Sequence, residues 1–218
     1  MAQASLGDIG FLSSASAALR NMIEERATRR HLAAGETLFS QGDPGDTLFA
    51  IASGLVEVSV LSKSGQKLGL DMMGAGELIG EIALFSPGPR TATITAIEPT
   101  EVWGLRNADV LDALQEKPEL CVDLIELAGK RMRWMSTQYH EQVFMDAPTR
   151  LARRIVHYCG IGGSELRMSH ADLASFVGTT RETVSKTLAG WKREGVISMG
   201  RSTITVVDMD ALRDIAGN

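Results

Sequence analysis

The sequence has 218 residues, of which 44% are hydrophobic and 22% charged, the composition of a globular protein with one large or two small domains. Its net charge of −5 is uneven, because residues 1–145 carry 12 Lys and Arg against 19 Asp and Glu, whereas residues 146–218 carry 10 against 8. The charge therefore excludes a polyanion as a partner of the first part and leaves DNA open for the last third.

Several classes of protein are excluded by what the sequence lacks. No apolar run approaches a membrane span and the first residues lack a signal-peptide pattern, so we expect a cytoplasmic protein with no membrane partner. Two cysteines, Cys121 and Cys159, predict neither a disulfide framework nor a four-thiolate iron–sulfur cluster. The four histidines lack metal-ligand spacing and no catalytic constellation stands out, so we predict no metal site and no enzyme: His31, His140, His157 and His170.

The chain begins with a predicted amphipathic helix, Ser14–Arg30, whose apolar face carries Leu19, Met22 and Ile23. Short strands separated by Gly-containing turns follow, and this rhythm is typical of an antiparallel barrel or jelly roll. The predicted strands are Leu32–Phe39, Leu48–Ile51, Leu55–Val60, Lys67–Met73, Thr91–Ile97 and Glu101–Leu105.

Within this region the stretch GELIGEIALFSPGPRTATITA, residues 76–96, predicts a ligand pocket. Gly80 has no Cβ and lets the backbone approach a ligand, and the amides of Ile82 and Ala83 offer a short anion-binding nest. Arg90 can supply a fork of donors to a phosphate, while Glu81, which only accepts, suits sugar hydroxyls. Together they predict a cyclic nucleotide pocket; the alternative is a Gly-rich turn with a surface Arg–Glu pair.

After the strands, Asn107 is predicted to cap a helix that ends at Gln115, and Pro118 to begin a longer helix that reaches Phe144. This longer helix carries an apolar seam at heptad spacing, which predicts a parallel homodimer. Leu124, Leu127 and Trp134 form a second apolar face that suits packing on the barrel. The seam consists of Cys121, Ile125, Ala128, Met132, Met135 and Tyr139.

The remaining residues predict a winged helix-turn-helix. Asp146 is the expected cap of a helix over 147–158, Gly160–Gly163 a flexible loop, and Ser169 the cap of the next helix. Ala174 is small where two helices cross, Gly178 supplies the turn, and Val184 anchors the second helix, Thr180–Glu194. Residues 196–207 predict a β-hairpin wing around Gly200-Arg201-Ser202, and a last helix begins near Asp208.

The second of these helices is predicted to read DNA. Side chains at its N-terminus reach base edges when such a helix docks in the major groove, where Arg suits guanine and Glu suits the cytosine amino group. The predicted DNA-binding residues are Thr180, Arg181, Glu182, Ser185, Lys186 and Arg201.

These motifs resemble the Crp/Fnr type of transcription regulator along nearly the whole chain. The cassette pattern is present as Gly80-Glu81-Ile82-Ala83-Leu84 and Pro89-Arg90-Thr91-Ala92-Thr93, and the helix pattern as Arg181-Glu182-Thr183-Val184-Ser185-Lys186. The resemblance implies an α+β fold: a cyclic nucleotide-binding β-roll over residues 1–117, a dimerisation helix and hinge over 118–145, and a winged helix-turn-helix over 146–218. It also implies cAMP or cGMP as effector, and as partners a second copy, palindromic double-stranded DNA and RNA polymerase.

Three departures from the family pattern leave points open. Lys186 stands where Arg is usual, which predicts looser sequence preference at one base. Met135-Ser136 stands where the prototype has a Thr-Ser pair that contacts the adenine. Only the contact of Ser136, which reaches in from the partner subunit, is therefore retained. A hydroxyl directly after Arg90, as at Thr91, can favour a guanine in the syn conformation. The loop Cys159–Arg167 looks shorter than in the prototype, which leaves a polymerase contact there open.

The sequence therefore predicts a dimeric transcription regulator controlled by a cyclic nucleotide, with cAMP ahead of cGMP. One alternative is a regulator of the same fold that needs no nucleotide or senses another effector. The other is a nucleotide-binding module that acts on a protein partner, which the winged helix argues against.

Overall fold

The computed structural model describes residues 10–162, 165–201 and 203–217. Contacts within the chain divide it into two compact units: residues up to 64 together with 70–133, and residues 65–69 together with those from 134 onwards.

The first unit is built on two four-stranded antiparallel sheets, ordered β1-β8-β3-β6 and β2-β7-β4-β5. Apolar residues from both sheets, among them Leu38, Ile51, Val56, Ile94 and Val102, share one core, as inward-facing residues do in a sandwich or roll. The predicted β-roll is confirmed. Its strands are β1 (Thr28–Leu32), β2 (Thr37–Phe39), β3 (Thr47–Ser53), β4 (Leu55–Leu61), β5 (Lys67–Gly74), β6 (Leu78–Ile79), β7 (Thr93–Ala96) and β8 (Thr100–Arg106).

Helices cover the sheet that contains β3 and β8, through a second core that includes Leu12, Leu19, Leu48, Trp103 and Leu127. The helices are α1 (Gly10–Ser14), α2 (Ala17–Arg26), a short α3 (Ile82–Phe85), α4 (Asn107–Glu116) and α5 (Leu120–Phe144).

Two predicted helix starts are wrong. The helix predicted over Ser14–Arg30 is shorter, because the Ser16 hydroxyl caps α2 by accepting from the Leu19 amide, and the chain is already in β1 at Thr28. Asn107 does not cap α4; it is the first helical residue, and its Nδ2 donates to the carbonyl of Ala83. The side chain is therefore turned towards a tertiary partner, and its oxygen does not accept from the first amides of α4.

Helix α5 has two apolar faces. On one of them Leu124 and Leu127 are buried, as predicted. Trp134, predicted on the same face, is instead half-buried and lines a cavity with Arg153 and Arg154. On the other face four seam residues are 60% to 74% exposed: Ile125, Met132, Met135 and Tyr139. An apolar stripe this exposed is unusual for a helix that packs only within its own chain.

The second unit is a winged helix-turn-helix, as predicted, with a three-stranded sheet of order β10-β11-β9. One boundary is wrong: α6 continues past Tyr158 through Gly160, where a loop was expected, because Tyr158 and Cys159 are buried and packing outweighs the low helix propensity of glycine. Gly163 lies outside the described residues. The elements are α6 (Ala147–Gly162), β9 (Glu165–Arg167), α7 (His170–Val177), α8 (Arg181–Arg193), β10 (Ile197–Gly200), β11 (Thr203–Val206) and α9 (Met209–Ile215).

Local caps fix the helices of this unit where the sequence placed them. Asp146 Oδ1 accepts from the Thr149 amide at 2.8 Å, and Ser169 forms a capping box with Asp172. Gly178 has the left-handed φ of +67° that ends α7. The buried side chains of Ala174 and Val184 then pack the two helices together.

Candidate functional site

Arg90, the residue predicted to bind the phosphate, is buried, with 6% of its surface exposed. Its Nη2 donates to the carbonyl of Thr47 at 2.8 Å and its Nη1 to the carbonyl of Gly80 at 3.4 Å. Gly80 has a φ of +83°, and a Cβ at this residue would lie 2.5 Å from Arg90 Nη1. The sequence assigned the missing Cβ to the approach of a ligand, but in the structure the group that needs this space is Arg90 itself.

Aromatic rings hold the guanidinium of Arg90 from the other side. Its Cζ lies 4.1 Å from the ring centre of Phe39 and 5.8 Å from that of Phe49. Burial lowers the pKa of Arg90, an effect that nearby Asp46 and Asp43 oppose, yet an arginine stays charged in proteins. Its Nε is buried and has no hydrogen-bond partner among the described residues. A fixed cation with an unused donor fits an anion such as a phosphate.

The turn before β3 is hydrogen-bonded to the backbone of Arg90, at the C-terminal end of the predicted cassette. The Arg90 amide donates to the carbonyl of Asp43, and the Gly42 amide to the carbonyl of Arg90, both at 2.8 Å. A Cβ on Gly45 would lie 2.5 Å from the Cβ of Ala83. The sequence predicted only a turn here, whereas the structure makes it part of the scaffold that holds Arg90.

Glu81, the predicted sugar acceptor, is 8% exposed and precedes the first residue of α3. Its Oε1 lies 3.2 Å from Nε of Arg131, a residue of α5. Arg131 is absent from the site residues predicted from the sequence. Arg131 lies one helical turn before the predicted contact Met135, which is the one sequence signal near it, but no spacing along the chain pairs it with Glu81.

The other predicted nucleotide contacts are more exposed. Ala83 is buried, but the Ile82 side chain is 45% exposed and Thr91 is exposed. Met135 and Ser136 are exposed on α5, and their contact with a nucleotide bound by a partner subunit stays a prediction.

At the start of α8 the structure brings the predicted DNA-reading residues to one exposed surface. Thr180 caps the helix by accepting from the Thr183 amide at 3.2 Å, and Arg181, Glu182 and Lys186 are exposed. The backbone amide of Glu182 and the Thr180 hydroxyl lower the pKa of the Glu182 carboxyl, which keeps it an ionised acceptor.

Two further predicted DNA contacts lie near this helix start. Ser185 is half-buried, and its hydroxyl lies 2.8 Å from Nδ1 of His170 on α7, a partner that the sequence did not predict. Arg201 is exposed in the turn between β10 and β11. An open cavity of about 290 Å³ separates the starts of α7 and α8 from this hairpin; Ser169, His170, Arg181, Gly200 and Thr203 are among the residues that line it.

Within the described residues no group of His, Cys, Asp or Glu side chains is arranged to hold a metal ion. None of the helices in that part of the chain is long and apolar enough to cross a membrane.

Comparisons with known proteins agree with this architecture. A family model described as "Cyclic nucleotide-binding domain" matches residues 29–117, and one described as "Crp-like helix-turn-helix domain" matches residues 149–215.

Individual relatives match over most of their length. The "Cyclic AMP receptor protein" of Thermus thermophilus is 34% identical over 86% of this chain and 88% of its own. The crystal structure of Thermus thermophilus catabolite activator protein covers 95% of this chain and 97% of its own, with 32% identity and a TM-score of 0.54. The regulator CLP of Xanthomonas campestris, described as responsive to c-di-GMP, shares the fold with 20% identity, a TM-score of 0.73 and coverage of 87% and 97%. This chain therefore belongs to the Crp/Fnr family of transcription regulators, which are DNA-binding proteins and not enzymes.

Proposed function

We propose that this protein is a homodimeric regulator whose affinity for its DNA site is controlled by a 3′,5′-cyclic nucleotide bound in the β-roll. The observation that carries the proposal is the buried Arg90 guanidinium with its unused Nε donor. Without a bound anion the Nε donor of this buried cation stays unsatisfied, and a buried donor without a partner costs about 1–3 kcal/mol.

Glu81 supports the assignment of a cyclic nucleotide pocket, because it suits the ribose. Its Oε1 faces Arg131, which leaves Oε2 as an acceptor for a ribose hydroxyl. The phosphate is then assigned to Arg90 and the first amides of α3, and the ribose to Glu81. We favour cAMP, because the family pattern and the name of the Thermus thermophilus relative point to it; cGMP is the competitor because of Thr91 and Met135.

The exposed seam of α5 supports the homodimer. Val143 and Phe144 extend the stripe at the helix end and are 53% and 74% exposed. A second copy of the same helix would bury this face in a parallel coiled coil and would bring Ser136 to the partner's nucleotide. Helix α5 carries Arg131 and ends two residues before Asp146, the cap of α6, so we propose that it transmits the state of the pocket.

A two-fold dimer implies a palindromic DNA site whose half-sites lie roughly 34–36 Å apart. Arg181 and Glu182 are assigned to a G·C pair and its neighbour, in a half-site that resembles the family's TGTGA, while Arg201 is assigned to the backbone. RNA polymerase is the proposed protein partner, with the contact surface left unassigned.

An electrophoretic shift assay with a randomised palindrome library, with and without cAMP or cGMP, tests the proposal. We expect a shift that one nucleotide strengthens. A shift that neither nucleotide changes would favour the nucleotide-independent alternative, and nucleotide binding without any shift would favour the module that acts on a protein.

Calorimetry tests the coupling. Linkage requires operator DNA to tighten nucleotide binding by the same factor by which nucleotide tightens operator binding. Equal nucleotide affinity with and without operator would contradict the allosteric mechanism.

A further inference from the structure

Glu77, which precedes β6, joins two elements that neither the cassette motif nor the helix seam connects. Its Oε1 accepts from the backbone amide of Phe11 at 3.1 Å, and its Oε2 lies 3.5 Å from Nη2 of Arg131. The carboxylate therefore links α1, at the N-terminal side of the described chain, to the arginine that faces Glu81.

Helix α1 is held against the segment before β6 by hydrogen bonds and by buried side chains. The Leu12 amide donates to the carbonyl of Gly76 at 2.9 Å, and the side chains of Phe11 and Leu12 are 3% and 0% exposed. A Cβ on Gly10 would lie 2.8 Å from the backbone carbon of Gly76, so the two segments touch. The amides of Phe11 and Leu12, two of those in the first turn that lack partners within a helix, are thus satisfied by Glu77 and Gly76.

On the other side, Arg131 divides its donors between three acceptors. Nη2 donates to the carbonyl of Leu78 at 2.7 Å and lies within reach of Glu77, whereas Nε faces Oε1 of Glu81 at 3.2 Å. Arginine readily forms a bidentate pair with a single carboxylate. Glu77 and Leu78 oppose that by holding Nη2, so the ion pair of Arg131 with Glu81 is made through Oε1. No hydrogen bond from Arg131 to Oε2 of Glu81 occurs within the ranges that the structure describes.

We infer that Glu77 is a positioning residue for recognition of the ribose 2′-hydroxyl: it keeps the pairing of Arg131 with Glu81 to one oxygen and reserves the other oxygen for the sugar. The inference rests on the proposed nucleotide site. It adds that α1, which lies before the matched nucleotide-binding region, helps to set selectivity for ribonucleotides.

The test compares Glu77→Gln with wild type by titration of cAMP and of 2′-deoxy-cAMP. Glutamine keeps an acceptor for the Phe11 amide but turns a neutral amide towards Arg131. Nη2 is then held only by the carbonyl of Leu78, and without the pull of the Glu77 charge Arg131 can turn towards both oxygens of Glu81. We expect wild type to prefer cAMP by about tenfold or more, the value of one hydrogen bond to a charged acceptor. The variant should lose most of this preference and bind 2′-deoxy-cAMP as wild type does.

Three controls separate the possible causes. Glu98→Gln removes one negative charge from an exposed residue of the same unit and should change neither affinity. Asp123→Asn alters the contact of Ser16 with α5 and reports on general loosening of the N-terminal helices. In a Glu81→Gln background, Glu77→Gln should have no further effect on 2′-hydroxyl preference, because its target is gone.

Each outcome decides a different question. Equal weakening of both nucleotides, or an unchanged preference in Glu77→Gln, would overturn the role of Glu77. If Glu77→Gln does not fold, the preference of Arg131→Lys decides. Lysine cannot form the bidentate pair, so retention of the preference supports the arrangement and loss of the preference contradicts it. Wild type that binds neither nucleotide would overturn the proposed function itself.

Discussion

The predicted nucleotide cassette buries its charged side chains, whereas the helix predicted to read DNA exposes them. Arg90 and Glu81 are 6% and 8% exposed and are held by groups that lie far away in sequence. Arg181 and Glu182 are exposed at the start of a helix that a neighbouring side chain caps. A substitution in the cassette should therefore alter both local packing and binding, whereas one at the surface of α8 should alter binding alone.

The largest effect is expected for Gly80→Ala. The new Cβ would lie 2.5 Å from Arg90 Nη1 in a backbone with φ of +83°, so Arg90 must move. We expect cAMP affinity to fall by about 100-fold or more, because the displaced guanidinium loses its charge-assisted contacts with the phosphate, which are worth about 1.5–3 kcal/mol each.

Gly35→Ala is the matched control for Gly80→Ala, measured by the same calorimetric titration. Gly35 has the same φ of +83°, but a Cβ added there would have no neighbouring atom within 4 Å. It carries the strain without the collision, and it should keep cAMP affinity. Similar losses of affinity in both variants would mean that backbone strain, and not displacement of the Arg90 guanidinium, is responsible.

Arg90→Met sharpens the comparison by separating binding from folding. Methionine preserves the contact with Phe39 and Phe49 and removes a buried cation whose Nε is unsatisfied. We expect cAMP affinity to fall by at least about 2 kcal/mol. The thermal midpoint without nucleotide should stay level or rise, because replacement of a buried charge by an apolar group is often neutral or stabilising.

Calorimetric titration and a thermal melt test this variant together. Unchanged affinity would show that the pocket is misassigned. A strong fall in the thermal midpoint would show that Arg90 mainly stabilises the folded protein.

Arg181→Ala is the corresponding test on the exposed side. We expect a loss of about 1–3 kcal/mol on the specific site and flattened discrimination at one base pair, with the thermal midpoint unchanged. A binding selection on randomised DNA measures this directly. If Arg181 contacts only phosphate, all sequences weaken alike and the salt slope falls by about one unit.

The smallest effect is expected for Lys186→Arg. Lys186 is exposed on the same helix face, one turn after Glu182. Because arginine can contact guanine with two parallel bonds and lysine cannot, the variant should prefer guanine more strictly at one position, by about 1 kcal/mol or less. Lys192→Arg, at an exposed position near the end of α8, is the control and should leave the selected motif unchanged.

Local signals placed most helix ends of the second unit, with the end of α6 as the exception. The caps Asp146 and Ser169 and the left-handed Gly178 lie where the sequence placed them, and the last helix begins directly after Asp208. Such groups act on a backbone only two or three residues away, so their effect can be read without knowledge of the fold.

By itself, the sequence determined the β-roll and the winged helix, and it singled out the candidate cassette residues, because strand alternation, caps and the Gly-Glu and Pro-Arg motifs are local patterns. The tertiary structure alone decided that Arg131 faces Glu81, that Glu77 holds Arg131, and that Gly80 makes room for Arg90. These contacts join residues from separate elements, so their geometry exists only after the sheets and α5 have packed together. No spacing along the chain encodes which buried charge will meet which acceptor.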